Sequence, residues 1–308
     1  MLIRAKPSPH AVTVPPVLYK YLRAERTDVV QAQKLRFTQP TATNDLFELK
    51  PVFDSIVPDS QFESYMRPSD SMLEEAIRQH YETLSPKDKA RLSFPDLVKL
   101  IKSRPDVIDK LMNDLMPTFK SLVKDFTPRL REMMTRTFDR MIGILSLSEI
   151  PTNQLMWAHY ASDHRGFVLG FDTANSFFDG RRSAKDDFYH LRPVSYLDRN
   201  DDGVSLIEMG SKDIFFTKST AWSYEHEWRM IAPLGSDIHH PPADDEVVLF
   251  DFPASALHEL VFGARATSAL RSDLTTIVKS NPQLAHVRLR EACAADRKAG
   301  IEIREFNA

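Results

Sequence analysis

The spacing of apolar and polar positions divides the chain into two kinds of segment. Short runs rich in β-branched and aromatic residues predict strands, and the clearest lie at residues 17–22, 35–38, 144–148, 167–172 and 228–231. From about residue 71 to 140, apolar positions instead recur at intervals of three and four, which predicts helices. The pattern therefore predicts an α+β fold. Its mixed or antiparallel β-sheet core would comprise residues 1–50 and 141–308, with a mainly helical insertion at 51–140.

Two features of the helical segment bear on its structure and use. Pro117 lies inside the apolar stripe and is expected to kink or split the helix. Five of the eleven methionines fall between Met112 and Met141, and such a stripe is typical of core filling. A face that binds a partner protein is the alternative interpretation.

The second half of the chain carries clear signals for the ends of elements. A short helix is expected from Gln154, with Thr152 or Asn153 as its N-cap and Gly166 as a left-handed residue in its C-terminal turn. A later helix is predicted at 267–279, and residues 287–290 and 301–304 predict an antiparallel strand pair. Large aromatic residues inside these elements are expected in the core, and they are Trp157, Phe167, Phe171 and Trp228.

Composition narrows the possible function classes. The 308-residue chain is 42% apolar and has a net charge of -3, so its overall charge favours neither nucleic acid nor membrane binding. No apolar run approaches the roughly 20 residues that span a bilayer, and we expect no membrane association. A single cysteine, Cys293, excludes an intramolecular disulfide and fits a cytoplasmic protein. With only nine glycines, the chain contains no glycine-rich phosphate-binding motif.

The stretch from Lys218 to Met230, KSTAWSYEHEWRM, concentrates the charged and aromatic residues that suggest a site. If it were a strand, Glu225 and Glu227 would share one face, with His226 opposite. Two aligned carboxylates repel each other, which can raise the pKa of one of them and suits a site for a cationic group. The simpler interpretation is an edge strand with a solvated acidic face.

Other polar residues are compatible with a metal-dependent nuclease, which needs several carboxylates around a metal. The candidates are Asn44, Asp45, Glu48, His159, Asp163, His164 and Asp172. Each also has a structural explanation, such as an Asx turn or a histidine that only forms hydrogen bonds. The pair His239 and His240 lies among prolines without a partner cluster, and we assign no metal site.

Several segments in order resemble the bacterial family known as domain of unknown function 2971. They are LYKYL (18–22), LRFTQPTATNDLFE (35–48), LSLSE (145–149), LMWAHYASDHRGFVLGFD (155–172), VSY (194–196), KSTAWSYEHEWRM (218–230) and LVFGA (260–264). The resemblance covers most of the chain outside residues 50–140. It implies family membership but no activity.

A more distant resemblance, to the ADP-ribosyltransferase superfamily, does imply an activity. It rests on Tyr19, Lys20 and Tyr21 in an early strand, on Ser146 and Ser148 in a central strand, and on the later E-x-E pair. Lys20 or Tyr21 would replace the usual arginine or histidine, and the serine strand reads S-L-S instead of S-T-S. The resemblance implies that NAD is the substrate, with ADP-ribose transferred to an acceptor or to water.

The same resemblance implies roles for particular residues. Glu227 would hold a ribose hydroxyl and stabilise an oxocarbenium-like transition state, and Glu225 would place or deprotonate the acceptor. The acceptor, a protein or a nucleic acid, is not identified by the sequence. Further NAD-contacting residues would be His159, Tyr160, Trp222 and Tyr224.

A non-enzymatic interaction module is the third class of function. An enzyme should bring Glu227, Tyr21, His159 and Trp222 around one cleft, whereas an interaction module has no need to place them together. The sequence does not predict the oligomeric state.

Overall fold

The computed structural model describes residues 13–45, 53, 55–197, 205–208, 213–235, 246–296 and 299–307. The chain divides into two compact units. The first comprises Met1–Lys50, Thr135–Arg199 and Lys212–Ala308, and the second comprises Pro51–Met134 and Asn200–Ser211.

Helices account for most of the second unit, and strands build the first. The helices are α1 (Asp28–Ala32), α2 (Phe62–Met66), α3 (Asp70–Thr83), α4 (Pro86–Arg91), α5 (Phe94–Lys102), α6 (Pro105–Met141), α7 (Gln154–Tyr160), α8 (Asp213–Phe216) and α9 (Ser268–Ser280). The strands are β1 (Val17–Leu22), β2 (Lys34–Arg36), β3 (Ile142–Ser148), β4 (Phe167–Asp172), β5 (Leu191–Pro193), β6 (Ser195–Tyr196), β7 (Thr217–Lys218), β8 (Glu227–Pro233), β9 (Leu249–Asp251), β10 (Leu257–Phe262), β11 (Arg288–Ala294) and β12 (Ile301–Glu305).

An eight-stranded sheet is the centre of the first unit, in the order β12-β11-β10-β4-β1-β3-β8-β5. Its neighbours are antiparallel except for β10 and β11, which run parallel, so the sheet is mixed. Two small sheets, β2-β9 and β6-β7, accompany it. The predicted α+β class with a mixed sheet and a helical insertion is confirmed, as is the antiparallel pairing of β11 with β12.

The sheet opens between β1 and β3. All six residues of β1 pair with β4, but within these two described strands β1 meets β3 only at Tyr19 and Ser148. Beyond that pair the Lys20 ammonium donates a hydrogen bond to the Ser146 carbonyl, 2.8 Å away, where a strand neighbour would otherwise bond. A side chain therefore bridges an interruption in the backbone ladder.

Alternation along β3 and β8 separates an apolar face from a polar one. Leu145, Leu147, Trp228 and Met230 join the main hydrophobic core. Ser146, Ser148, Glu227 and Arg229 occupy the opposite face, because side chains two apart share a side of a strand. The predicted core positions Trp157, Phe167, Phe171 and Trp228 are all buried, which confirms that prediction.

One local prediction is wrong, and one alternative of a second is excluded. The prediction that Gly166 is left-handed fails, since the positive φ values near it belong to Ser162, Asp163 and His164. Glycine is required at position 166 for space, since a Cβ there would lie 2.1 Å from the Leu22 carbonyl oxygen. Of the two alternatives predicted for Pro117, a split of α6 is excluded because the helix continues through that residue, and a kink stays a prediction.

Of the two predicted N-caps of α7, Asn153 is the one found. Its side chain accepts hydrogen bonds from the backbone N–H groups of Leu155 and Met156. No helix in the described ranges has the length and apolar character needed to cross a membrane.

Candidate functional site

A cavity of about 490 Å³ lies where β1 and β3 separate. Its wall is formed by the second half of β1 and the loop after it, by β2, by Ser146–Ser148 and by residues of α7. The stretch from Lys218 to Arg229 completes it. Because that stretch contains the E-x-E pair, the cavity gathers most of the residues that the sequence marked as chemically interesting.

The E-x-E pair is not part of one continuous strand, so the predicted alternation across Glu225, His226 and Glu227 is wrong. Residues Thr220–Glu225 form a 3-10 helix, His226 is left-handed with φ of 44°, and Glu227 begins β8. This turn leaves the His226 side chain exposed. Both carboxylates nevertheless reach the same ammonium group.

That ammonium belongs to Lys218 and is the centre of a buried charge cluster, which we define as Lys218, Glu225, Glu227 and Arg229. Lys218 Nζ lies 2.6 Å from Glu225 Oε2 and 3.2 Å from Glu227 Oε2. Arg229 binds Glu227 with two nitrogens, Nε at 2.8 Å from Oε1 and Nη2 at 2.9 Å from Oε2. Each of the four side chains is 5% exposed or less, so every charge in the cluster depends on its neighbours.

Neighbouring polar groups fix the orientation of the cluster. The Tyr160 hydroxyl donates to Glu225 Oε1 at 2.6 Å, and the Ser148 hydroxyl donates to the Glu225 backbone carbonyl, also at 2.6 Å. The backbone N–H of Glu227 donates to the Tyr196 hydroxyl at 2.8 Å. Glu225 and Glu227 are therefore each held by groups from separate parts of the chain.

Burial and charge act in opposite directions on the pKa values in the cluster. Burial alone would lower the pKa of Lys218, but Glu227 and Glu225 outweigh it and raise the pKa above its usual value. Burial raises the pKa of Glu227, and the Lys218 ammonium opposes that shift. The pKa of the Tyr160 hydroxyl is raised by burial and by the Glu225 charge. These groups form a pre-arranged set of charges that water screens little.

Lys20 has a different environment from Lys218. Burial lowers its pKa to about 8, the two glutamates oppose this, and the positive charges of Arg26 and Arg36 lower it further. Its ammonium donates to the Ser146 carbonyl and makes no ion pair as short as those of Lys218. Lys20 is half-buried and lies on the cavity wall, where a bound anion could reach it.

Nine of the eleven predicted site residues line this cavity: Tyr19, Lys20, Tyr21, Ser146, Ser148, His159, Tyr160, Glu225 and Glu227. Trp222 and Tyr224 lie beside it. The Trp222 ring centre is 4.9 Å from Lys218 Nζ, and the Tyr224 ring centre is 6.4 Å from that of His159. The four residues that distinguish an enzyme from an interaction module, Glu227, Tyr21, His159 and Trp222, are thus close to one cleft.

All three tyrosines that line the cavity have hydrogen-bond partners, and the bond from Tyr160 to Glu225 is described above. Tyr21 donates to the Ile150 carbonyl at 2.5 Å, and Tyr19 donates to Glu259 at 3.0 Å. Sequence reasoning did not single out Arg26 and Arg36, which also line the cavity. An arginine at the end of a short strand gives no sequence signal that distinguishes it from an ordinary solvated one.

Within the described residues, no group of three or more His, Cys, Asp or Glu side chains is arranged to hold a metal ion. Glu48, His239 and His240 lie outside the described residues. The nuclease interpretation stays a prediction that the described side chains do not support.

Comparisons with known proteins give one match. No curated protein and no solved structure matches the chain, so the ADP-ribosyltransferase resemblance stays an expectation from sequence. The matched region, residues 156–230, runs from α7 through the E-x-E pair and covers less than half of the chain. Over that region the chain is similar to the family whose model is described as protein of unknown function, DUF2971.

Proposed function

We propose that the cavity binds NAD and that the protein transfers the ADP-ribose unit of NAD to an acceptor or to water. The observation that carries this proposal is the charge cluster. Both carboxylates of the E-x-E pair are held in fixed positions at the wall of a cavity of about 490 Å³. Cavities of roughly 300–1,000 Å³ are the usual size for small-molecule sites.

The reaction breaks the bond between nicotinamide and the anomeric carbon of its ribose. The bonding electron pair leaves with nicotinamide, whose ring becomes neutral, and positive charge develops on the ribose. Water or an acceptor nucleophile then adds to the anomeric carbon and loses a proton. A fixed negative charge beside the sugar favours this transition state, because it opposes the developing charge without having to reorganise.

The contacts of the two carboxylates suit different roles. Arg229 and Lys218 occupy both oxygens of Glu227, which keeps this carboxylate in one position as a fixed negative charge. Glu225 accepts one hydrogen bond on each oxygen, from Tyr160 and from Lys218. An ionised carboxylate has about four acceptor positions, so Glu225 can accept a further bond from an acceptor nucleophile.

The rest of the lining suits the other parts of NAD. The His159 ring centre lies 6.4 Å from those of Tyr160 and Tyr224, and this aromatic group is the proposed contact for the nicotinamide ring. Lys20 and the nearby arginines supply positive charge for phosphates.

The proposal is tested by incubating the purified protein with NAD and measuring nicotinamide release by chromatography, with and without cell extract as a source of acceptor. Calorimetry on the same preparation measures NAD binding. We expect binding and nicotinamide release. Absence of both would reject the proposal and favour the interaction module.

A further inference from the structure

The cavity contains more positive than negative charge, and the excess is confined to one group of side chains. Six basic and three acidic side chains line it. Lys218 and Arg229 are matched by Glu225 and Glu227. The remaining basic side chains, Lys20, Arg23, Arg26 and Arg36, share the cavity wall with one further carboxylate, the exposed Glu25.

Arg36 is the basic residue of this wall that has an unsatisfied donor atom. It is the last residue of β2, and its Nε atom is inaccessible to solvent and has no hydrogen-bond partner within the described chain. Leaving a buried charged donor unsatisfied is costly, and native structures usually avoid it. The Arg36 side chain as a whole is half-buried and lines the cavity, where its guanidinium can bind an anion.

Lys20 and Arg26 place further positive charge near Arg36. All three side chains line the same cavity, and the charges of Arg26 and Arg36 both disfavour the charged form of Lys20. Arg26 pairs with Asp28 at 3.0 Å, but both side chains are solvent-accessible, and exposed pairs of this kind are weak. We name Lys20, Arg26 and Arg36 the cation group.

We propose that the cation group is an anion subsite that binds the diphosphate of the ligand. Arginine forks bind two phosphate oxygens at once, and a lysine adds a point charge. The inference deepens the proposed function, on which it rests for the identity of the ligand. The subsite itself requires only a phosphate-bearing anion.

The subsite also sets the direction in which the ligand lies. Lys20 lines the same cavity and is close enough to feel the charges of both glutamates and of Arg26 and Arg36. Phosphates are repelled by Glu225 and Glu227 and attracted by Arg36. The diphosphate would therefore lie toward Arg36, and the ribose with its nicotinamide would lie toward the carboxylates.

The test is calorimetric titration of the full chain with inorganic pyrophosphate, comparing the wild type with Arg36→Gln. Glutamine removes the charge while keeping a polar side chain. We expect the wild type to bind and Arg36→Gln to bind roughly ten- to a hundredfold more weakly, since a hydrogen bond to a charged group has this effect. Lys279→Gln is the matched control, because it removes one positive charge from an exposed position in the last turn of α9 and should bind like the wild type.

Failure of the wild type to bind pyrophosphate would overturn the subsite, as would equal weakening by Arg36→Gln and Lys279→Gln. If Arg36→Gln does not fold, Arg26→Gln provides the same comparison with the same expected direction. Nicotinamide release is measured separately. If the wild type binds pyrophosphate but does not release nicotinamide, the proposed reaction is rejected and the subsite is kept. If the wild type releases nicotinamide but Arg36→Gln binds pyrophosphate as tightly as the wild type, the subsite is rejected and the proposed reaction is kept.

Discussion

At the scale of single residues, the charge cluster explains how four ionisable side chains can be buried together. Lys218 bridges two carboxylates, and Arg229 binds one of them in a bidentate manner. Removing an ion from water is costly, and only close partners of opposite charge compensate for it. Each member is therefore needed by the others, and removal of one leaves the rest uncompensated.

Lys218→Met should lower the free energy of unfolding by about 3–5 kcal/mol, the range for breaking a buried ion pair by removing one partner. Urea unfolding at neutral pH measures it. The double variant Lys218→Met with Glu225→Gln is the control and should recover part of the loss, because one uncompensated carboxylate becomes neutral. A loss below about 1 kcal/mol, typical of an exposed pair, would contradict the buried cluster.

Lys20→Met should instead increase the free energy of unfolding. Burial lowers the pKa of Lys20 from 10.5 to about 8, so the folded state disfavours the charged form. This destabilisation is complete below pH 8 and disappears as the pH rises to 10.5, because the folded state gives up its proton before the unfolded state does. Methionine removes the cost of burying the charge but also loses the hydrogen bond to Ser146. The net effect should be a free energy of unfolding that is higher by roughly 1–3 kcal/mol at neutral pH.

The check is urea unfolding of wild type and Lys20→Met at several pH values. The advantage of the variant should shrink between pH 8 and 10.5. A difference in stability that is the same at every pH would mean that Lys20 is not titrating abnormally.

At the scale of elements, Asn153 couples α7 to the turn that presents Glu225. Its side-chain oxygen caps α7, and its amide nitrogen donates to the Tyr224 carbonyl at 2.5 Å. Because Tyr224 directly precedes Glu225, the position of the carboxylate depends on this cap.

Asn153→Ala should therefore reduce both stability and nicotinamide release. We expect a loss of about 1–2 kcal/mol from the missing cap. Thr267→Ala, which removes the cap of α9 outside the cavity, is the matched control. It should cost about 1 kcal/mol and leave the reaction rate unchanged. Equal rates in the two variants would show that Asn153 acts only on stability.

Local patterns predict the elements better than they predict the site. The strands β3, β4 and β8 were predicted at the right places, because each is a short run of mainly apolar residues, and nearly every residue in them is buried. The turn at His226 was missed, since a left-handed histidine between two glutamates has no signal in an alternating pattern. Alternation predicted that Glu225 and Glu227 lie close together, and they do. The prediction assumed a continuous strand, however, and the two residues are joined by a turn.

At the scale of the molecule, the site depends on contacts between distant parts of the chain. Lys20 comes from β1, Ser146 from β3 and Glu227 from β8, and the sheet order brings them together. No local pattern shows that β1 and β3 separate after one residue pair, so the sequence predicts the strands but not the cavity between them. No local pattern predicts that Arg26 and Arg36 line the same cavity as Lys20, because that also depends on how the strands are arranged.

The central claim is that a fixed carboxylate at this cavity promotes cleavage of NAD, and the rate of nicotinamide release by Glu227→Gln tests it most directly. Glutamine keeps the size of the side chain but removes the charge that opposes the developing oxocarbenium. A thermal melt first establishes that the variant folds. Glu225→Gln is the companion variant, and it should spare NAD hydrolysis but impair transfer to an acceptor.

We predict that the wild type releases nicotinamide and that Glu227→Gln does so at least about a hundredfold more slowly, the usual effect of losing one such electrostatic contact. A folded Glu227→Gln variant with the wild-type rate would contradict the role of this carboxylate. A wild-type protein that neither binds NAD nor releases nicotinamide would contradict the account as a whole.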